Sequence, residues 1–288
     1  MRIANVEGRA KLIVERGLAA VDVADASAGL FDPEPSSLYE RWPEFRVWAG
    51  ETLADDGASP FESVPFDAAR AGPPSPAPRQ VFAVALNYRD HAAESGHAAP
   101  ADPLIFPKYL SAFSGPVSQV VLPAGNVDWE CELVAVIGRT AHHVEEADGW
   151  SYVAGLTVGQ DISERVLQRK GPVPQFGLGK SYPGFAPTGP VLVTPDEFAD
   201  PDDLAIGCDV NGQSMQAART SDMIFSVPAL IAFLAGVVTL LPGDVIFTGT
   251  PPGVGAGRQP PVFLAPGDDL TSHIEGIGEL RQRFIAAY

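Results

Sequence analysis

The sequence predicts an α+β fold, mainly β, with a large strand-rich domain over residues 76–288 and a small N-terminal α+β domain over residues 1–75. Three observations predict it. Apolar runs of strand length recur along the chain with few helical stretches between them, the pattern of a mainly β or α+β protein. Glycine and proline are abundant, 29 and 28 of 288 residues, which favours short elements joined by turns. The segment AGPPSPAPRQ at 71–80 crowds prolines into a stretch that can supply few ladder hydrogen bonds, and it marks the domain boundary.

Taken in order, Ala10–Val14 and Ala19–Val23 alternate as two short strands, and Ser36–Trp48 reads as a short helix. Beyond the boundary, strands are expected at Val81–Leu86, Glu130–Ile137, Tyr152–Val158, Pro190–Val193, Ala205–Val210, Asp244–Thr248 and Asp269–Ile274. Asn211-Gly212 predicts a hairpin, because a two-residue primed turn needs positive φ at both central positions. The clearest helix is Val227–Val238, which Ser226 can cap and whose first turn tolerates Pro228.

The formal charge is −17 at pH 7, with a pI near 4.5. Such a chain lacks the basic footprint that nucleic-acid phosphates require, and its acidity opposes docking on anionic membranes. An anionic small substrate must therefore be met locally, by a metal ion or a few placed Lys and Arg residues. Cys131 and Cys208 show no CxxC spacing and are expected to be free, buried thiols in a reducing compartment. The N-terminal stretch lacks the apolar run of a secretory leader, and the longest apolar run, Val227–Leu241, is too short to span a bilayer. The expected setting is the cytoplasm.

Chemistry concentrates in a few segments. In VDWECELVAVIG (127–138), Glu130 and Glu132 stand two apart, so on a strand they share one face while Cys131 takes the other. Adjacent carboxylates on an apolar strand repel unless a cation sits between them. Asp161 ends a further apolar strand, GLTVGQD, and three carboxylates suit a hard ion such as Mg²⁺ or Mn²⁺ better than zinc. On spacing alone, ExE serves equally as an exposed strand edge. His91 and Glu94 in ALNYRDHAAESG (85–96) share a face if the segment is helical; they then form either an acid–base pair or a solvated surface. Lys180 lies among glycines in GLGKSYPG, where backbone can approach a ligand closely. Thr250, in TGTPPGVG after the strand DVIF, offers a hydroxyl and turn N–H groups to a carboxylate or oxyanion. No Gly-Lys-Ser/Thr follows, so this is not a phosphate loop.

The ordered set WECELVAVIG, GQDISER, LGKS and TGTPPGVG resembles the fumarylacetoacetate hydrolase family, from about Val81 to Ile285. Residues 1–75 are only loosely similar to the variable small domain of some members. The resemblance implies a twisted β-roll main domain, a homodimer, and Glu130, Glu132 and Asp161 as ligands of Mg²⁺ or Mn²⁺. It implies that His91 and Glu94, in NYxDHxxE, form a mobile element that orders over substrate. It places Lys180 near the site, Lys108 there as either a substrate contact or a structural pair, and Arg165 as a candidate for holding a substrate carboxylate; Val166 stands where the family often has an acid.

A metal on three carboxylates can polarise a small anionic keto acid and stabilise the enolate formed when a neighbouring bond breaks. With His91 and Glu94 delivering water, the expected reaction is C–C hydrolysis of an acylpyruvate- or fumarylpyruvate-like diketo acid. Oxaloacetate decarboxylation and 2-hydroxymuconate-type isomerisation or hydration are the alternatives within the same chemistry. A non-catalytic, metal-stabilised binding protein is the alternative of another class.

Overall fold

The computed structural model describes residues 1–14, 17–53 and 61–287. Its first strands, Arg2–Val6 and Arg9–Val14, form a hairpin whose turn residues Glu7 and Gly8 both have positive φ. Ala19–Asp22 pairs onto the second of them, and Asp22 locks the corner by accepting from Arg9 and Lys11, each at 2.6 Å. The predicted helix Ser36–Trp48 is two helices, Pro35–Glu40 and Trp42–Thr52. Pro43 explains the break: it lacks an N–H and is accommodated only in a first helical turn. Phe31, Phe45 and Trp48 pack as an aromatic cluster beneath these helices.

The proline-rich segment opens with Ala71–Gly72, which pairs with Val6 and Asn5, and beyond it side chains satisfy the backbone in place of a ladder. Asn5 donates to the Pro73 carbonyl, Tyr39 to that of Pro74, and the Ser75 hydroxyl to that of Gly243. The sheet itself runs across the boundary placed at residue 75, because Arg2 and Ile3 pair with Val193 and Leu192.

Among the described residues the larger sheet has twelve strands. Its centre is Ala186–Val193, Val153–Gln160 and Cys131–Ile137, all antiparallel neighbours and buried at every residue. Burial on both faces is why these strands read as unbroken apolar runs instead of alternating ones. Val245–Phe247, Val81–Ala85 and Leu104–Pro107 extend the sheet beyond Cys131–Ile137. A five-stranded sheet orders Gln213–Arg219, Ala205–Val210, Asp269–Ile274, Gly278–Ala286 and Val117–Leu122. It packs on the first through Val153–Gln160 and Ala186–Val193, and the two sheets curl into the expected mainly β roll. At Gly159 a Cβ would lie 2.4 Å from Val134, so only glycine permits the close approach.

The Asn211-Gly212 hairpin forms with φ values of 53° and 77°. The helix after Ser226 stops at Ala235, before Gly236, three residues short of expectation. Gln213–Arg219 is the second arm of the Asn211-Gly212 hairpin, while Val117–Leu122 and Gly278–Ala286 are strands that the sequence reading passed over. Both cysteines are free and buried. No helix among the described residues is long and apolar enough to cross a membrane.

Candidate active site and metal centre

Pairing of two core strands brings the three predicted ligands together. Glu130 immediately precedes Cys131–Ile137, and Asp161 immediately follows Val153–Gln160. The Asp161 N–H donates to the Glu130 carbonyl at 2.9 Å, and Glu130 N–H donates to Gln160 Oε1 at 2.9 Å. Glu132 projects from within its strand while Cys131 turns to the other sheet, its thiol donating to the Gly207 carbonyl. One carboxylate oxygen from each of Glu130, Glu132 and Asp161 lies within 4.8 Å of the others, and all three residues are buried.

Three cations surround this cluster. Lys180 Nζ bridges Glu130 and Asp161 at 2.7 and 2.6 Å. Lys108 Nζ, fully buried, donates to Asp161 at 2.5 Å and to the carbonyls of Lys180 and Phe185. Arg165 Nε donates to Asp128 at 2.6 Å, and its Nη2 stands 2.7 Å from Glu130 as an ion pair without hydrogen-bond geometry. Four buried carboxylates (Asp128, Glu130, Glu132, Asp161) thus face three cations. Burial alone would raise the Glu130 pKa, but Lys180, Arg165 and His91 outweigh it and hold the group down at about 2. Among the described residues Glu132 has no ion-pair partner; Lys180 offsets its charge only from a distance, and the carboxylate accepts from the Gly249 N–H at 2.8 Å. Burial, with the charges of Asp161 and Glu130 added, pushes its pKa well above the ordinary range. An all-oxygen donor set with one uncompensated carboxylate fits a hard divalent cation.

His91 and Glu94 lie on a short helix, Arg89–Glu94, with His91 Nδ1 2.7 Å from Glu94 Oε1. The Gly253 N–H donates to both Glu94 oxygens, at 3.1 and 2.9 Å, fastening the helix to the TGTPPGVG loop. Just before it, the Asn87 side chain donates to the carbonyls of Thr248 and Phe225.

His91, Glu94, Glu130, Arg165, Lys180 and Thr250 line one cavity of about 380 Å³. Glu132, Asp161 and Lys108 stand behind its wall, buried. Two residues differ from their expected contacts, and Lys108 makes the structural pairing that the sequence left open beside a substrate contact. Thr250 was expected to offer its hydroxyl to substrate, but that hydroxyl donates to the Cys131 carbonyl and accepts from Gln216. Arg165, expected on a substrate carboxylate, is engaged by Asp128, Glu130 and Gln168. Lys108 is sealed against Asp161 and two carbonyls. Sequence reasoning missed Asp128 and Gln216. Gln216 lies on a strand of the other sheet, accepts from Cys131 N–H and donates to Thr250 and the Pro251 carbonyl.

Residues 80–285 match the model of the fumarylacetoacetate (FAA) hydrolase C-terminal domain. The chain belongs to the fumarylacetoacetate hydrolase family. As a fumarylacetoacetate hydrolase family enzyme, it is 45% identical over 210 residues to the human oxaloacetate tautomerase FAHD2A, mitochondrial, covering 72% of this chain and 67% of that one. A solved structure of a protein provisionally named HpcE from Mycobacterium smegmatis is 53% identical, with a TM-score of 0.93 and full coverage of both chains. The maleylpyruvate hydrolase of Sphingobium sp. SYK-6, solved in complex with manganese(II) and pyruvate, is 28% identical, with a TM-score of 0.81 and full coverage of both chains. The matched stretch of the family model begins at the end of the proline-rich segment.

Proposed function

We propose that the protein is a divalent-metal-dependent hydrolase that cleaves the C–C bond of an acylpyruvate- or fumarylpyruvate-like diketo acid into pyruvate and a carboxylate. The observation that carries the reading is a His–Glu pair lining the same cavity as Glu130 and Lys180. Glu130, Glu132 and Asp161 would hold Mg²⁺ or Mn²⁺, which supplies Lewis-acid polarisation of the 2-oxo acid oxygens when bound. With Nδ1–H donated to Glu94, His91 keeps its Nε2 lone pair for a proton. His91 takes a proton from water as the water oxygen attacks the distal carbonyl. The bond from that carbonyl carbon to the methylene carbon breaks, its electrons pass to the carbon beside the 2-oxo group, and protonation there gives pyruvate. Lys180 keeps Glu130 ionised, and with two of its three donors engaged by carboxylates it has one for the substrate.

A second reading is keto–enol tautomerisation of oxaloacetate, favoured by the 45% identity to the human tautomerase. His91 then moves a proton at C3 and no water attacks. The deciding experiment supplies Mn²⁺ and follows acetylpyruvate, fumarylpyruvate and oxaloacetate. Pyruvate and carboxylate released in equal amounts support hydrolysis. Faster oxaloacetate interconversion with no loss of diketo acid supports the second reading and overturns the first; CO₂ release from oxaloacetate would identify a decarboxylase. We further propose that residues 1–75 act as an accessory unit and that the enzyme is a cytoplasmic homodimer, to be checked by limited proteolysis at 71–80, light scattering and fractionation.

A further inference from the structure

The cations nearest the carboxylate cluster are already committed. Lys180 lies between Glu130 and Asp161, and Arg165 between Asp128 and Glu130. Arg169 lines the same cavity, yet among the described residues no carboxylate pairs with it. It is also exposed. In a chain of net charge −17, an unpaired guanidinium at the edge of the site is a local reversal of sign that an incoming anion would meet.

The backbone sets its position. Arg165–Gln168 makes a single helical turn, and the Arg169 N–H donates to the Arg165 carbonyl at 3.3 Å. Residues four apart on such a turn share a face. The inner arginine of the pair is buried against Asp128 and Glu130, and the outer one reaches solvent. Apolar cavity wall is supplied by Phe106 and Phe176, in edge contact at 5.6 Å. The cavity therefore offers Glu130 as the open edge of a carboxylate cluster suited to an ion, an apolar wall, and one arginine uncommitted among the described residues.

We propose that Arg169 is a specificity-determining residue that binds a second carboxylate at the end of the substrate remote from its 2-oxo acid group, so that dicarboxylic keto acids are preferred over neutral-tailed ones. This rests on the keto-acid reading above. The competing account is a solvated surface arginine with no ligand, which predicts no selectivity.

A matched ligand pair separates the two. 2-Oxoglutarate and 2-oxopentanoate share a carbon chain and differ only in a distal carboxylate against a methyl group. Calorimetric titration of both into Mn²⁺-loaded wild type, Arg169→Gln and Arg169→Lys reads binding without turnover. The expected result is tighter binding of 2-oxoglutarate by wild type and a loss of roughly 10- to 100-fold in Arg169→Gln, the scale of a charge-assisted hydrogen bond. Binding of 2-oxopentanoate should change by less than about threefold, as for an uninvolved surface position. Arg169→Lys should recover part of the loss, because an ammonium keeps the charge but not the guanidinium fork. If wild type does not discriminate, or Arg169→Gln weakens both ligands equally, the role of Arg169 is overturned while the keto-acid reading stands. If neither ligand binds the Mn²⁺-loaded wild type, both fall.

Discussion

Replacing Glu132 with glutamine should make the metal-free protein more stable and the metal-loaded protein less so. Glu132 has two like charges close by, with ligand oxygens no more than 4.8 Å apart. At an effective dielectric of about 20, a pair of charges at that separation repels by about 3.5 kcal/mol. Lys180 offsets part of this, and glutamine keeps an oxygen to accept the Gly249 N–H. A net gain of about 2 kcal/mol is expected, or roughly 4–8 °C in Tm for a domain of this size. The sign with pH follows from the raised pKa. The folded state holds the Glu132 proton more tightly than the unfolded chain. Wild type therefore loses stability as pH rises above the ordinary glutamate value of about 4.3, while Glu132→Gln does not. With Mn²⁺ at about 100 times its Kd, wild type should gain about 2.7 kcal/mol and the variant little. Calorimetric melts from pH 5 to 8, with chelator and with Mn²⁺, would show the two orders of stability crossing. A metal-free variant less stable than wild type at pH 8, with its metal-induced shift intact, would refute the charge argument.

Lys180→Gln removes the bridge between Glu130 and Asp161; a loss of about 3–5 kcal/mol is expected, with turnover falling beyond what the melt explains. Gly253→Ala should unsettle the Arg89–Glu94 helix, because φ is +106° and the new Cβ would lie 2.2 Å from the Met215 carbonyl oxygen. Its Tm should drop by several degrees and kcat should fall further, as the Gly253 N–H leaves Glu94, with the Mn²⁺-induced Tm shift retained. Asp22→Asn tests the N-terminal corner. Burial there raises the carboxyl pKa, but hydrogen bonds from Arg9 and Lys11 outweigh it and hold it below the ordinary range. Wild type should exceed the variant by about 1–2 kcal/mol at pH 7. That advantage should close as pH falls below the ordinary aspartate value of about 3.9, and denaturant titrations at pH 7 and pH 3 would measure it.

The elements legible in the sequence were those whose pattern is local. The unbroken apolar run of Cys131–Ile137 and the Asn211-Gly212 turn could be read directly. The shared direction of Glu130 and Glu132 followed from strand periodicity. Gly278–Ala286 was overlooked although its buried residues alternate, because charged residues occupy the intervening positions. Partners at a distance were not legible. Nothing around Arg165 announces Asp128 as its acceptor, and Lys108 meets Asp161 only once separate strands have docked. Thr250 shows the same limit: a hydroxyl after a strand looks available to a ligand until Gln216 arrives from the other sheet. Residue type indicated which groups could do chemistry, while tertiary pairing decided which were already occupied.

The parallel pairing of Val117–Leu122 with Gly278–Ala286 has a consequence for biosynthesis. Parallel partners so far apart in sequence close late and slowly, since a long loop must be ordered before the pairing rewards it. A ribosome has to translate most of the chain after Leu122 before its partner strand exists. Until then the nascent polypeptide carries an unpaired strand edge with Val117 and Val121, side chains that stay exposed even in the finished sheet. Yield of soluble protein should therefore depend on elongation speed and chaperone supply more than on equilibrium stability.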